Sequence, residues 1–145
     1  MVVEPIPDGY HSATPFLMVE GAAELMVFMK QAFAAQEVMR MEGDGHLMHG
    51  QVQIGDSKIM MADAGDMPPV PGMVYLYVED VDSAYESALQ AGATSMQEPA
   101  DQFYGDRTAG VKDRFGNQWW IATRVEDVSP DEMQRRQEAM TQQHA

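Results

Sequence analysis

The stretch Phe16-Leu17-Met18-Val19-Glu20 returns 59 residues later as Tyr75-Leu76-Tyr77-Val78-Glu79, with Leu, Val and Glu kept at the same spacing. Further along, residues 57–62 fall on residues 117–122 at an offset of about 60. Similarity at a near-constant offset is typical of an internal duplication. The sequence therefore predicts two related modules of roughly 50 to 60 residues each.

Each module has the pattern of a strand, a helix and three further strands. A short apolar run precedes apolar residues at the i, i+3, i+4 spacing of an amphipathic helix, and an alternating strand then leads into a Gly55-Asp56 turn. We predict strands over residues 14–19, 37–41, 48–54 and 57–62, with the first helix near 25–33. The second module repeats the order, with strands over 73–78, 94–97, 108–112 and 118–123 and a helix over 82–90.

These elements predict an α+β domain over residues 1–125. Its modules span about 10–64 and 73–124, and the Pro- and Gly-rich segment 65–72 has the composition of a linker. A C-terminal tail follows over 126–145, where Ser129-Pro130-Asp131-Glu132 has the N-cap, Pro and Glu of a helix start. We assign no chemistry to this predicted helix.

Composition narrows the classes of partner. The chain has 23 acidic and 9 basic residues, a net charge of -14, and no Cys. Such a field repels phosphate backbones and anionic lipid, so we expect neither nucleic acid nor a membrane surface as a partner. The absence of Cys excludes disulfides and thiolate chemistry. The opening Met-Val-Val-Glu-Pro lacks the features of a signal peptide, and we expect a cytoplasmic protein.

The paired modules and several motifs resemble the vicinal oxygen chelate superfamily, which includes glyoxalase I, bleomycin-resistance proteins and extradiol dioxygenases. The similarity covers roughly residues 10–125 and is strongest for a glyoxalase-like bacterial subgroup, some members of which carry a demethylubiquinone methyltransferase name. The motifs that carry it are Gly9-Tyr10-His11-Ser12-Ala13-Thr14-Pro15, residues 48–56, Tyr77-Val78-Glu79-Asp80-Val81-Asp82, Tyr104-Gly105-Asp106-Arg107 and residues 113–119. The resemblance implies two curled sheets lining a pseudo-symmetric half-barrel cavity for a small molecule, often beside a divalent metal.

In that superfamily, metal ligands come from the first and last strands of each module. The corresponding positions here are Thr14, Met60, Met73 and Trp120, with Met61 as an alternative to Met60. None supplies the imidazole or carboxylate that such ions need, so we expect no standard metal site and no cofactor. His11, His46 and His49 lack the spacing of a replacement site, and Asp63 and Asp66 have the pattern of solvated loop charges.

Strand alternation predicts which side chains face away from the helices. The expected ligand-binding residues on that concave side are Thr14, Phe16, His49, Gln51, Met60, Met73, Tyr75, Tyr77 and Trp120. A long loop over 97–107 adds Gln102, Phe103 and Tyr104, either as a cap on the cavity or as aromatics packed on its rim, with Asp106 and Arg107 as an ion pair or turn.

Three functional interpretations remain open. The first is a small-molecule-binding protein without the standard metal, which forms a homodimer as the family resemblance implies. The second is a lyase, isomerase or dioxygenase that uses a displaced metal or an acid-base pair such as His49 with Asp106. The third is a structural or regulatory module whose cavity is filled by its own side chains. The sequence leaves catalytic residues unknown and does not identify the ligand.

Overall fold

A computed structural model describes residues 2–143 of the chain. The first module contains β1 (Phe16–Val19), α1 (Ala22–Phe33), β2 (Gln36–Gly43), β3 (His46–Ile54) and β4 (Ser57–Asp63). The second module contains β5 (Met73–Tyr77), α2 (Val81–Gln90), β6 (Thr94–Asp101), β7 (Asp106–Lys112) and β8 (Gln118–Arg124). A final helix, α3, spans Pro130–Gln143.

The two modules fold into sheets of the same strand order, β1-β4-β3-β2 and β5-β8-β7-β6. In each sheet the first and last strands of the module pair in parallel, and the other neighbours are antiparallel. A parallel pair needs a crossover, which the helix of each module supplies. The predicted α+β fold of two βαβββ modules is therefore confirmed.

Three sequence-based strand boundaries were wrong. β1 begins at Phe16 and not at residue 14, while β6 continues to Asp101 and β7 begins at Asp106. The connection between β6 and β7 is thus the four residues 102–105, not a long loop over 97–107. Pro99 lies within β6, and proline usually argues against a strand because it has no N–H to donate. β6 is the edge strand of its sheet, where a missing N–H donor is tolerated.

The start of α1 is held by a carboxylate from another strand. Gly21 precedes the helix with φ 88°, and the Asp63 Oδ1 atom accepts hydrogen bonds from the backbone N–H groups of Gly21 (2.9 Å) and Ala22 (2.8 Å). The second oxygen of Asp63 accepts from the Leu47 N–H group at 2.7 Å. The expectation that Asp63 is a solvated loop charge was wrong, because the end of β4 brings its side chain beneath three backbone donors.

Helices α1 and α2 pack on each other and on the same side of the two sheets, so the modules share one apolar core. Trp119 of β8 is fully buried there, with its ring centroid 4.9 Å from that of Phe33 and 6.5 Å from that of Phe28. Both Phe residues belong to α1 of the other module. The two modules are consequently coupled through aromatic contacts, and neither has a core of its own.

The C-terminal helix α3 buries no residue. The Ser129 hydroxyl accepts a hydrogen bond from the Glu132 N–H group at 3.1 Å, as the N-cap pattern predicted. Arg136 attaches the helix to the second module by donating to the Phe103 carbonyl at 3.1 Å and pairing with Glu126. Among the helices of residues 2–143, none is long and apolar enough to cross a membrane.

Candidate functional site

Each sheet has one face against the helices and one face turned away from them, which we call the open face. In β1, Leu17 and Val19 are buried and Phe16 is exposed; in β5, Leu76 is buried and Tyr75 is exposed. The predicted alternation is therefore confirmed in both first strands. The exposed fractions on the open faces are high, at 46 % for Phe16, 71 % for Met73, 46 % for Tyr75 and 62 % for Tyr77.

Strand register places equivalent residues of the two modules in matching rows. In the first sheet, Phe16 pairs with Met60, and Met60 pairs with Gln51. In the second sheet, Tyr75 pairs with Trp120, and Trp120 pairs with Gly110. Met61, the alternative to Met60, is fully buried on the helix side. The two rows show that the duplication extends to the open faces, although their side chains differ.

The first open face carries a chain of polar groups. The Tyr10 hydroxyl donates to the Gln51 Oε1 atom, and the Gln51 amide nitrogen lies 2.9 Å from the His49 Nε2 atom. The His49 ring lies beside Phe16, with centroids 5.7 Å apart. Because the Gln51 amide nitrogen is a donor, His49 Nε2 acts as the acceptor in this arrangement. The chain thus links an amide, an imidazole and a phenol on one surface.

Tyr10 is a member of this face that strand reasoning missed. It precedes β1 in a segment without regular structure, so no periodicity could predict where its ring lies. The Lys58 ammonium lies 5.1 Å from the Tyr10 ring centroid and donates to the Gly9 carbonyl at 3.1 Å. These contacts hold the N-terminal segment on the first sheet. The only available signal was the family-like motif around Tyr10.

On the second open face the Trp120 indole lies flat over Gly110. A Cβ atom at residue 110 would come within 2.6 Å of the indole ring, which is closer than any van der Waals contact allows. Glycine therefore makes room for the ring. The Trp120 side chain is half-buried, and its Nε1 atom donates to the Gln118 Oε1 atom at 3.3 Å. One face of this aromatic group is consequently packed and the rest is accessible.

Beside Trp120, two tyrosines share one buried carboxylate. The Tyr75 and Tyr77 hydroxyls donate to the same Asp106 Oδ2 atom at 2.7 and 2.8 Å, and Asp106 is only 5 % exposed. Burial and the neighbouring Tyr104 and Asp106 raise the pKa of Tyr75. The hydrogen bond to Asp106, with burial, raises the pKa of Tyr77. Both phenols therefore stay protonated at neutral pH. This cluster was not predicted.

The short β6–β7 connection lies at the end of this cluster. The Gln102 amide donates to the Thr108 hydroxyl at 3.1 Å, and the Phe103 and Tyr104 rings meet edge to face with centroids 5.2 Å apart. The Gly105 carbonyl accepts from the N–H groups of residues 125 and 126. Together with Arg136 of α3, these bonds hold the connection against the chain that follows β8.

Two pairings that the sequence left open are not formed between the described residues. Arg107 pairs with Asp82 and Asp101, both at about 3 Å, and not with Asp106. Asp106 instead accepts from the two tyrosines described above. His49 bonds Gln51 on the first sheet, whereas Asp106 lies on the second sheet, so within one chain the two have separate partners. The proposed His49–Asp106 acid-base pair has no direct contact here.

A small cleft of about 170 Å³ lies where the two sheets meet. Tyr10, His11, Thr14 and Tyr75 contribute to its walls. Larger hollows lie elsewhere, including one of about 510 Å³ beside Asp63, but that hollow is lined by none of the predicted binding residues. A volume of 170 Å³ is below the usual range for ligand pockets. A single chain therefore leaves its two open faces uncovered and does not enclose them.

The side chains at the family's metal positions do not suit a divalent ion. Thr14, Met60, Met73 and Trp120 together offer a hydroxyl, two thioethers and an indole, whereas zinc and similar ions bind imidazole, carboxylate or thiolate. No group of three or more His, Asp or Glu in residues 2–143 is arranged to hold a metal. His46 is exposed and 3.9 Å from an Asp63 oxygen that already accepts a backbone N–H.

Comparisons with known proteins agree with this architecture. Residues 11–121 match the family model described as the Glyoxalase/Bleomycin resistance protein/Dioxygenase superfamily. An uncharacterised protein of Mycobacterium bovis, Mb0911c, is 35 % identical in an alignment of 136 positions, and the aligned part covers 83 % of this chain and 88 % of that protein.

Solved structures with the same fold have lower sequence identity. TioX from Micromonospora sp. ML1 superposes with a TM-score of 0.65 at 19 % identity, covering 79 % of this chain and all of TioX. The PhnB protein of Bacillus cereus superposes with a TM-score of 0.62 at 18 % identity, covering 78 % of this chain and 99 % of PhnB. At these identities the similarity concerns the fold alone.

Proposed function

Because the chain belongs to the Glyoxalase/Bleomycin resistance protein/Dioxygenase superfamily, we propose that it binds a small organic molecule on its open faces without the standard divalent metal. The observation that carries this proposal is the composition of those faces. Phe16, Met73, Tyr75 and Tyr77 are about half exposed or more, and they stand beside polar groups that are already oriented by hydrogen bonds. Ligand sites combine an apolar or aromatic surface with a few placed polar groups in this way.

The open faces favour binding over a filled structural module. In a filled module, the chain's own side chains would cover Tyr75, Tyr77 and Met73, whereas all three are exposed. The residues proposed to contact the ligand are the nine predicted strand residues and the adjoining 102–104 connection, with Tyr10 and Asp106 added from the structure. Thr14, like Tyr75, lines the 170 Å³ cleft where the two sheets meet. The other residues of the nine belong to the open faces of the two sheets.

A homodimer is part of this proposal. Soluble monomers rarely expose a continuous apolar patch as large as a functional face, and a closed two-fold pair is the commonest way to cover one. A second copy across the open faces would enclose the space that the 170 Å³ cleft does not. We expect light scattering to give about twice 16.1 kDa. A mass near 16.1 kDa at all concentrations would contradict the dimer.

A matched pair of variants tests which surface forms the dimer. Met73 lies on the open face of β5 and is 71 % exposed, whereas Met67 lies in the linker and is 62 % exposed. A charge placed on an apolar interface is desolvated when the pair forms. We therefore expect Met73→Glu to shift the protein towards monomer and Met67→Glu to leave the dimer intact. Equal behaviour of the two variants would place the interface elsewhere.

Native mass spectrometry of protein purified without added metal tests the function directly. We expect a bound organic molecule and less than one tightly held divalent ion per chain. A near-stoichiometric metal that survives dialysis and is lost in His11→Ala or His49→Ala would favour the enzymatic alternative. A dimer that binds no compound from an aromatic library, with its open faces mutually buried, would favour the structural alternative.

A further inference from the structure

The cluster of Tyr75, Tyr77 and Asp106 presents hydrogen-bond acceptors to the open face. Each hydroxyl proton points at the Asp106 Oδ2 atom, which leaves the phenol oxygens with lone pairs as acceptors. Tyr104 lies against the Tyr75 hydroxyl, so the Tyr77 oxygen is the more accessible acceptor of the two. The raised pKa of both tyrosines means that this proton arrangement persists through neutral pH. The cluster therefore offers a ligand hydrogen-bond acceptors and no hydroxyl donors.

The carboxylate in the cluster has no basic partner. Within residues 2–143, no Lys or Arg nitrogen lies within 4 Å of an Asp106 carboxylate oxygen. Arg107, the next residue in sequence, forms ion pairs with Asp82 and Asp101. Arg124 lies opposite Asp106 in the β7–β8 register and its charge opposes the rise in the Tyr77 pKa, but its ion pair is with Asp127. With both phenols neutral, the cluster has a formal charge of -1. A buried charge without a counter-ion attracts a cation to the surface above it.

Aromatic rings flank the same charge. The Tyr75 and Tyr77 rings have centroids 5.4 Å apart at 63°, and the accessible part of Trp120 lies next to Tyr75 across the β5–β8 pair. Ring faces attract cations, and more strongly where water is excluded. The chain's net charge of -14 adds long-range attraction in the same sense. Three independent features thus favour positive charge at one place.

We propose that Tyr75, Tyr77 and Asp106 recognise the protonated amine of an organic ligand whose apolar or aromatic body lies against Trp120. The phenol oxygens accept from its N–H groups, and the Asp106 carboxylate supplies the counter-charge. N–H donors distinguish this ligand from a quaternary ammonium, which has none to offer. This inference rests on the proposed small-molecule binding and specifies the chemical class of the ligand.

Three probes with one skeleton test the inference: 2-(2-naphthyl)ethylamine, 2-(2-naphthyl)ethanol and 2-naphthylacetate. Affinities are measured by isothermal titration at neutral pH. We expect the amine to bind at least about tenfold more tightly than the alcohol, the ratio that one partly desolvated cation–π contact supplies, and the carboxylate to bind most weakly. Added salt is expected to weaken the amine selectively.

Variants link the preference to the cluster. Asp106→Asn is expected to abolish the tenfold preference, and Tyr77→Phe, which removes one exposed hydroxyl, is expected to reduce it severalfold. Asp101→Asn is the control, because it removes one exposed charge from the same strand pair and keeps the long-range field equal to that of Asp106→Asn. If Asp106→Asn does not fold, the Tyr77→Phe result decides.

The outcomes separate the two proposals. Equal binding of amine and alcohol, or an amine preference that is as large in Asp106→Asn or in Tyr77→Phe as in the wild-type protein, overturns the amine inference and leaves small-molecule binding intact. Failure of all three probes to bind the wild-type protein at millimolar concentration contradicts the amine inference, and small-molecule binding is then decided by the native mass spectrometry and the aromatic library. Loss of the preference in Asp106→Asn with its retention in Asp101→Asn supports the inference.

Discussion

Replacing Trp119 with Phe removes an indole that the fold uses in two ways. The ring is fully buried and packs between the two modules, 4.9 Å from Phe33 and 6.5 Å from Phe28. Its Nε1 atom also donates to the buried carboxylate of Asp113 at 2.9 Å. The substitution therefore leaves a void at the junction of the modules and removes one donor from a buried charge.

The expected loss of stability follows from these two effects. A hydrogen bond to a charged group contributes about 1.5–3 kcal/mol, and the smaller figure applies because Asp113 keeps three other donors, from Phe115 and Asn117. Trimming a buried ring adds a transfer and cavity cost of about 1 kcal/mol or more. We expect Trp119→Phe to lower the free energy of unfolding by about 2–4 kcal/mol, or roughly 7–13 °C in Tm.

Trp120→Phe is the matched control, since its side chain lies on the opposite face of the same strand. We expect it to cost less than about 1 kcal/mol of stability, because the ring is only half-buried. It is expected instead to weaken capture of a planar ligand through about 0.5–1.5 kcal/mol of lost stacking. It is also expected to remove most ligand-induced quenching, because the chain has only two tryptophans.

Urea unfolding with an unchanged m-value measures the stability change, and intrinsic fluorescence measures quenching by the naphthyl probes. Similar destabilisation by the two variants would refute the assignment of Trp119 to the core and of Trp120 to the open face. Quenching that survives in Trp120→Phe and disappears in Trp119→Phe would refute the assigned strand faces, because a one-residue shift exchanges them.

Two further predictions concern ionisable groups. Burial alone would raise the pKa of Asp63, but the hydrogen bonds from the backbone N–H groups of residues 22, 47 and 21 outweigh it and lower the pKa below 3.8. The Asp63 carboxylate therefore contributes to stability above about pH 3.8, and this contribution is lost as the pH falls further. At neutral pH, Asp63→Asn is expected to lower the free energy of unfolding by about 2 kcal/mol, whereas Asp66→Asn is expected to change it little. Equal losses in the two variants would contradict the role of Asp63 at the start of α1. Burial and the hydrogen bonds to Asp106 favour the neutral phenols of Tyr75 and Tyr77 and so raise the pKa of both. Their contribution to stability is therefore fully present below about pH 10, the pKa of a tyrosine in the unfolded chain, and is lost as the pH rises further. Denaturation monitored from pH 8 to 12 is expected to show a smaller alkaline loss in the Tyr75→Phe/Tyr77→Phe variant, and an unchanged loss would show that the Asp106 bonds do not contribute.

The sequence alone determined the duplication, the order of elements and the face of each first and last strand. These properties depend on local chemistry. Successive side chains of a strand point to opposite faces, so the sequence shows which side chains share a face whichever strands lie beside it. Trp119 and Trp120 show this most clearly, since their opposite environments follow from adjacency in one strand. That Met60 and Met73 stand where the superfamily has metal ligands is implied by the resemblance, and thioethers are poor ligands for such divalent ions.

Only the tertiary structure determined which polar groups meet. Asp106 lies about 30 residues from Tyr75 in sequence, and their hydrogen bond requires β7 and β5 to flank β8 in one sheet. Tyr10 reaches Gln51 from a segment without periodicity, and Asp63 reaches the start of α1 only because β4 lies next to β1. Strand order and the path of irregular segments are set by the packing of the whole chain, which no local pattern encodes.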